Sequence, residues 1–86
     1  MKARINDICI RGCEPKNGKG GDYLLVRFED ETGKPAELVD KDMSRQQYYK
    51  RDTIGDFTID IQMGKWTNIR IIDFTIRRSK DGESEA

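Results

Sequence analysis

Histidine is absent from this 86-residue chain, and with it goes the side chain that most often serves as a general base near neutral pH. Cysteine is scarce, Cys9 and Cys13 being the whole supply. Neither thiol has a histidine to draw it toward thiolate, and a four-ligand zinc site within one chain would have to recruit carboxylates. The two cysteines read as reduced packing residues near a strand end and the chain reads as non-catalytic, with no metal or other cofactor expected. The acidic runs Glu29-Asp30-Glu31 and Asp40-Lys41-Asp42 supply oxygen ligands, but at a turn and a strand end, where solvated acids are commonplace. No apolar stretch approaches the ~20 residues that cross a bilayer, and residues 1–11 lack the apolar h-region of a secretory signal. A cytoplasmic protein with no membrane partner is expected.

An excess of charge of either sign is also missing: 16 basic residues balance 16 acidic ones. A nucleic-acid-binding domain usually shows a basic surplus, so neutrality counts against that class of partner. The balance is uneven along the chain, because Lys80 stands against Asp81, Glu83 and Glu85 in residues 79–86 and leaves 15 basic against 13 acidic groups in the remainder. Hydrophobic residues make up 35% and charged residues 37%, which predicts a thin core under a heavily ionised surface and suits a small barrel. A chain this short forms one domain and buries only roughly 60% of its unfolded surface, so pairing with a second copy would help.

What remains alternates. In residues 2–12, Ile5 and Ile8 differ in parity, which requires a slip near Asn6 or Asp7 of the kind a β-bulge produces; a long, bent first strand follows. Residues 14–21 hold one proline, one asparagine and three glycines, a flexible-loop composition. Residues 23–29 send Leu24, Val26 and Phe28 one way and Tyr23, Leu25, Arg27 and Glu29 the other. The turn at residues 31–34 offers Gly33 for a positive φ, and residues 36–41 return as strand three with Pro35 at its start. Ser44 followed by Gln47 has capping-box spacing, predicting a short helix over 45–50, on which one of Tyr48 and Tyr49 packs inward. Gly55 closes that connection. Residues 56–63 point Phe57, Ile59, Ile61 and Met63 inward and Thr58, Asp60 and Gln62 outward. After a turn at residues 64–66, residues 67–78 form a last strand whose Ile71-Ile72 doublet switches parity from Ile69 and Ile71 to Ile72, Phe74 and Ile76. Phe28, Phe57 and Phe74 are core candidates. Residues 1–78 are thus an all-β, five-stranded barrel of the OB type with a short helix between strands three and four, and residues 79–86 an acidic, disordered tail.

In such a barrel ligands cross strands two and three between the loops joining strands one and two and strands four and five. Aromatic faces for bases and cations for the phosphate backbone occur in those places. Lys16 and Lys19 lie in the glycine-rich segment, Tyr23 and Arg27 on the outward parity of strand two, Lys65 and Trp66 in the last turn, and Arg70 just beyond it. These seven are the candidate nucleic-acid contacts. Tyr23 and Arg27 are equally what a surface cross-strand pair looks like, Trp66 has the bulk to plug the barrel mouth or a dimer contact, and loop lysines are usually solvated.

The glycine- and lysine-bearing stretch 16–21 leading into Tyr23, with the closing segment Gly55-Asp56-Phe57-Thr58-Ile59 through Gly64-Lys65-Trp66 to Ile71-Ile72-Asp73, resembles the helix-destabilising single-stranded DNA-binding proteins of filamentous phages, the gene V protein family, and their relatives on mobile elements. The resemblance implies a homodimer that coats single-stranded DNA with little sequence preference during replication of such an element. Residues 44–51 depart from the family, which has an extended hairpin there. The alternative expectation is an OB-type module that docks a partner protein, favoured by the neutral charge and by Leu25 and Val39 on outward parities; a cold-shock-like RNA binder would carry denser aromatics on strands two and three.

Overall fold

The computed structural model describes residues 1–79. The expected acidic tail therefore lies, Ser79 apart, outside the described residues. Five strands form one closed sheet: β1 (Lys2–Gly18), β2 (Gly21–Glu29), β3 (Pro35–Asp40), β4 (Thr53–Gln62) and β5 (Asn68–Ser79). The order around the sheet is β1-β2-β3-β5-β4, with β4 returning to β1. Four neighbouring pairs are antiparallel. The fifth, β3 with β5, is parallel and consists of Val39 opposite Arg70 and Asp40 opposite Ile71. Among the described residues no helix is long and apolar enough to cross a membrane.

β1 serves two neighbours because it bends. Its first part pairs with β4 up to Cys9 opposite Ile54, and its second part pairs with β2 from Cys9 onward. The parity slip expected at residues 6–7 is a register shift between Ile5 and Ile8. Asp7 takes φ +58° there and donates its N–H to the Asp56 carboxylate at 3.0 Å. That carboxylate also receives Arg77 at 2.8 Å and Arg4 at 3.3 Å. A second shift, between Ile10 and Gly12, leaves Arg11 as an extra residue. The Ile71-Ile72 doublet is likewise a bulge, Thr58 facing Asp73 while Ile59 faces Ile71. Each unpaired residue adds bend and twist, which a sheet needs to close on itself.

The core follows the alternation. Ile8, Ile10, Leu24, Val26, Phe28, Phe57, Ile59 and Ile71 are buried, with Tyr49 beneath them and Phe74 packed against them. Phe57 is the hub: its ring lies 4.9 Å from Phe28, edge-on, and 5.3 Å from Phe74. Edge-on packing places the positive ring edge against the negative face of its neighbour, an attraction beyond area burial.

Several expectations need correction. Residues 14–18 are not a loop: they pair with residues 21–25, so β1 and β2 form a protruding wing closed by Lys19 and Gly20. The glycines supply the turn, Gly21 adopting φ +110°, rather than disorder. The helix is a 3-10 segment, Met43–Tyr48, and its cap is Asp42, whose carboxylate accepts from the Ser44 N–H at 3.0 Å and hydroxyl at 2.5 Å. Asp42 outcompetes Ser44 because a carboxylate accepts more strongly than a hydroxyl. Gly55 does not end the connection but lies inside β4, where a Cβ would sit 2.3 Å from the Thr75 carbonyl oxygen. Met63 is 75% exposed, since β4 has already ended at Gln62. Ile69 and Ile76 are also exposed, lying toward the two ends of β5, beyond the reach of the core. The cysteines sit in mid-strand on β1 rather than near its end, as free thiols. Burial, with the Asp40 and Glu14 carboxylates nearby, pushes the Cys13 thiol upward, which keeps it protonated and unreactive at neutral pH.

Candidate nucleic-acid interface

The outward parity of β2 and β3 builds one wall. Register places Glu14, Leu25, Val39, Arg70 and Asp60 side by side across all five strands. The next row toward the wing tip pairs Lys16 with Tyr23, and the row on the other side sets Arg27 opposite Glu37. Because side chains in one row of a sheet stand about 5 Å apart, residues distant in sequence become neighbours here.

Two hollows lie on this wall. One, of about 330 Å³, is lined by Gly18, Lys19, Gly20, Gly21, Tyr23, Leu25, Val39 and Lys41. The other, of about 260 Å³, is lined by Val39, Lys41, Gln62, Asn68, Ile69 and Arg70. They share Val39 and Lys41, so the two adjoin and together form a groove leading from the wing toward the turn of the β4–β5 hairpin. Leu25 and Val39 form an apolar floor, with the Tyr23 ring at one end and Ile69 at the margin of the other. That ring rests on bare backbone, a Cβ at Gly18 falling 3.0 Å from its Cε1 atom. At the other end Gln62 opposite Asn68 closes the hairpin, and the connection beyond them carries Lys65 and Trp66, the indole 76% exposed. Trp66 touches no other ring among the described residues, and at that exposure it does not plug the end of the closed sheet.

Electrostatics sorts the seven candidates. Lys19 lines the groove and Lys65 stands exposed on the flanking turn; neither has a carboxylate within ion-pair distance among the described residues. Lys16 is held by Glu14 at 3.2 Å, and that hydrogen bond, with Arg27 nearby, keeps the Glu14 carboxyl below its usual range. Arg70 faces Asp60 at 3.7 Å, and its Nε is buried without a partner. Arg27 stands apart, bridging Glu14 at 3.4 Å and Glu37 at 3.2 Å and bordering a separate hollow of about 580 Å³ with Arg11, Phe28 and Glu29. Arg11 there is itself engaged with Asp52 at 3.0 Å.

Lys41 was missed by sequence reasoning. It lines both hollows and has no ion-pair partner among the described residues. The signal was its shared parity with Val39, obscured by the acids on either side. Of those two acids, Asp42 is exposed and Asp40 is not. Asp40 is fully buried, accepting from the Tyr49 hydroxyl at 2.5 Å, from Arg45 at 2.8 Å and from the Asp42 N–H at 2.9 Å. Asp30 holds its turn together, accepting from the Thr32 N–H and hydroxyl and the Lys34 N–H. Arg45 also donates to the Ile72 carbonyl, tying the 3-10 segment to β5 and β3 directly behind the groove. Comparison with protein-family models, curated proteins and solved structures returned no significant match.

Proposed function

We propose that this chain is a non-catalytic, OB-type barrel that binds single-stranded nucleic acid, DNA in the first place, with little sequence preference. The strand order and the two flanking hairpins agree with the OB arrangement. The observation that carries the reading is the pair of adjoining hollows over β2, β3 and β5. Apolar Leu25 and Val39 lie beneath, with the half-buried Tyr23 ring at one end, the turn bearing the exposed Trp66 beyond the other, and Lys19 and Lys41, unpaired among the described residues, along the rim. Bases offer flat apolar faces and phosphates a regular negative charge, so a stacking platform with lysines along its edge suits an unpaired strand. Low sequence preference follows from the floor itself: Leu25 and Val39 present no side-chain donors or acceptors to read base edges.

Trp66 reports on the interaction directly. Titration with oligo(dT) at low salt is expected to change its fluorescence, with log affinity falling against log salt at a slope of roughly −0.7 for each phosphate contacted. A silent titration at micromolar protein overturns the proposal. One observation favours a protein-docking module instead: the Arg27 guanidinium is already neutralised by Glu14 and Glu37, which weakens the wall's positive field. On that reading oligo(dT) and oligo(U) are both silent while the same groove retains a partner protein.

A further inference from the structure

β5 has two edges and only one is fully used. Along its whole length it pairs with β4. On the opposite side, among the described residues, it meets β3 only through Arg70 and Ile71, and Arg45 caps the Ile72 carbonyl. From Asp73 to the end of the strand no other strand lies alongside among the described residues. The Phe74 N–H faces this open side, where it donates to the neighbouring Asp73 carboxylate at 2.9 Å. Register with β4 is regular from Phe74 through Ile76, so the backbone groups of Ile76 face the same way. Ile76 is 47% exposed beside this edge. An open edge bearing a large apolar side chain is a template for another strand, and natural proteins protect such edges unless something pairs with them.

We infer that this edge pairs antiparallel with the same edge of a second copy of the chain, about a twofold axis through Thr75. The occupant is identified by self-complementarity. Antiparallel pairing centred on Thr75 puts Asp73 opposite Arg77 of the second copy, Phe74 opposite Ile76, and Thr75 opposite Thr75. Each of these is a favoured cross-strand combination: opposite charges, aromatic with β-branched, and threonine with threonine. The twofold axis makes every pair except the central one occur twice. Backbone geometry agrees, since Phe74 and Ile76 are the residues whose N–H and C=O face outward; they exchange hydrogen bonds while the two Thr75 residues form the close, non-hydrogen-bonded pair. Ile76 then covers the half-buried Phe74 ring of its partner, extending the core across the interface. Arg77 keeps its contacts with Asp56 and Asp7 and retains half its surface for Asp73 of the other copy. The interface lies away from the groove residues of β5, Ile69 and Arg70, and stands independently of the nucleic-acid reading.

Sedimentation equilibrium of the full chain over a hundredfold concentration range is expected to show mass rising from monomer to dimer. Ile76→Lys, which places a charge at the apolar pair twice, weakens that association by about tenfold or more while leaving the far-ultraviolet circular dichroism unchanged. Cross-linking then tests register without relying on stability. In the close pair the two Thr75 Cα atoms lie about 4.5 Å apart, within disulfide range, so Thr75→Cys gives a covalent dimer on mild oxidation, whereas Asp73→Cys and the parent chain do not. A wild-type chain that stays monomeric throughout, a dimer indifferent to Ile76→Lys, or cross-linking at position 73 as efficient as at 75 each overturns the inference.

Discussion

The Tyr49 hydroxyl donates to the Asp40 carboxylate at 2.5 Å, at a place where the aspartate is wholly shut off from solvent. A buried carboxylate is tolerable only when its charge is met by donors, and Tyr49 is one of three. Tyr49→Phe is expected to cost about 1–3 kcal/mol in urea unfolding, the range for losing a hydrogen bond to a buried charged group. Burial, the Asp40 hydrogen bond and the Asp40 charge all push the tyrosine upward in pKa. A raised folded-state value means that the contribution is fully present below the unfolded tyrosine value near 10 and is lost as pH climbs above it. Wild type therefore loses stability above about pH 10, and the part due to this residue is missing in Tyr49→Phe.

The acid side has the opposite sign. Burial works against ionisation of Asp56, but the Asp7 N–H and the Arg77 and Arg4 guanidinium groups overcome it and hold the carboxyl below its ordinary range. A depressed folded-state value contributes stability that is present above about pH 4, the unfolded aspartate value, and disappears as pH falls through the folded one. Melting temperature measured from pH 7 downward should drop below about pH 4, and Asp56→Asn should lower it at neutral pH and flatten the acid limb.

Gly55→Ala and Gly12→Ala form a matched pair. At Gly55 the new methyl would meet the Thr75 carbonyl oxygen at 2.3 Å and the Phe74 ring at 2.8 Å, so the β4–β5 ladder must shift, at about 1–3 kcal/mol or more. At Gly12 nothing lies within 4 Å, and the change should stay within about 0.5 kcal/mol. Thermal melts of the two variants decide whether β4 and β5 approach as closely as described.

Binding should divide the cations. Lys41→Ala is expected to flatten the salt dependence of oligo(dT) affinity by roughly 0.7, one phosphate's worth, whereas Arg27→Ala leaves it nearly unchanged because Glu14 and Glu37 already satisfy that guanidinium. Tyr23→Ala should weaken binding by about 1–3 kcal/mol with little effect on melting. Fluorescence anisotropy at several salt concentrations separates these outcomes; equal slopes for Lys41→Ala and Arg27→Ala would return Lys41 to an ordinary surface charge.

Parity carried much of the fold. The bulges at Asp7 and Ile72, the inward set Leu24, Val26 and Phe28, the place of Pro35 at the head of β3 and the positive φ of Gly33 were legible because each is a local consequence of alternation or turn chemistry. The wing was not, since its glycines look like a loop until residues 21–25 are known to lie opposite. Asp40 was not either: its two side-chain donors, Arg45 and Tyr49, come later in the chain and converge only through the 3-10 turn. At the groove, parity placed Tyr23 and Arg70 on the wall but said nothing of who neutralises whom, which is why Arg27 was grouped with them and Lys41 overlooked.

β3 and β5 touch through two residue pairs, reinforced by Arg45 reaching from one to the other. Every other junction in the sheet is longer, so thermal breathing begins at this short suture. The smaller hollow straddles it, Val39 and Lys41 on one bank, Ile69 and Arg70 on the other. Anything lying across both banks acts as a splint: it tightens the join while bound, and amide hydrogen exchange at Val39, Asp40 and Ile71 slows as occupancy rises.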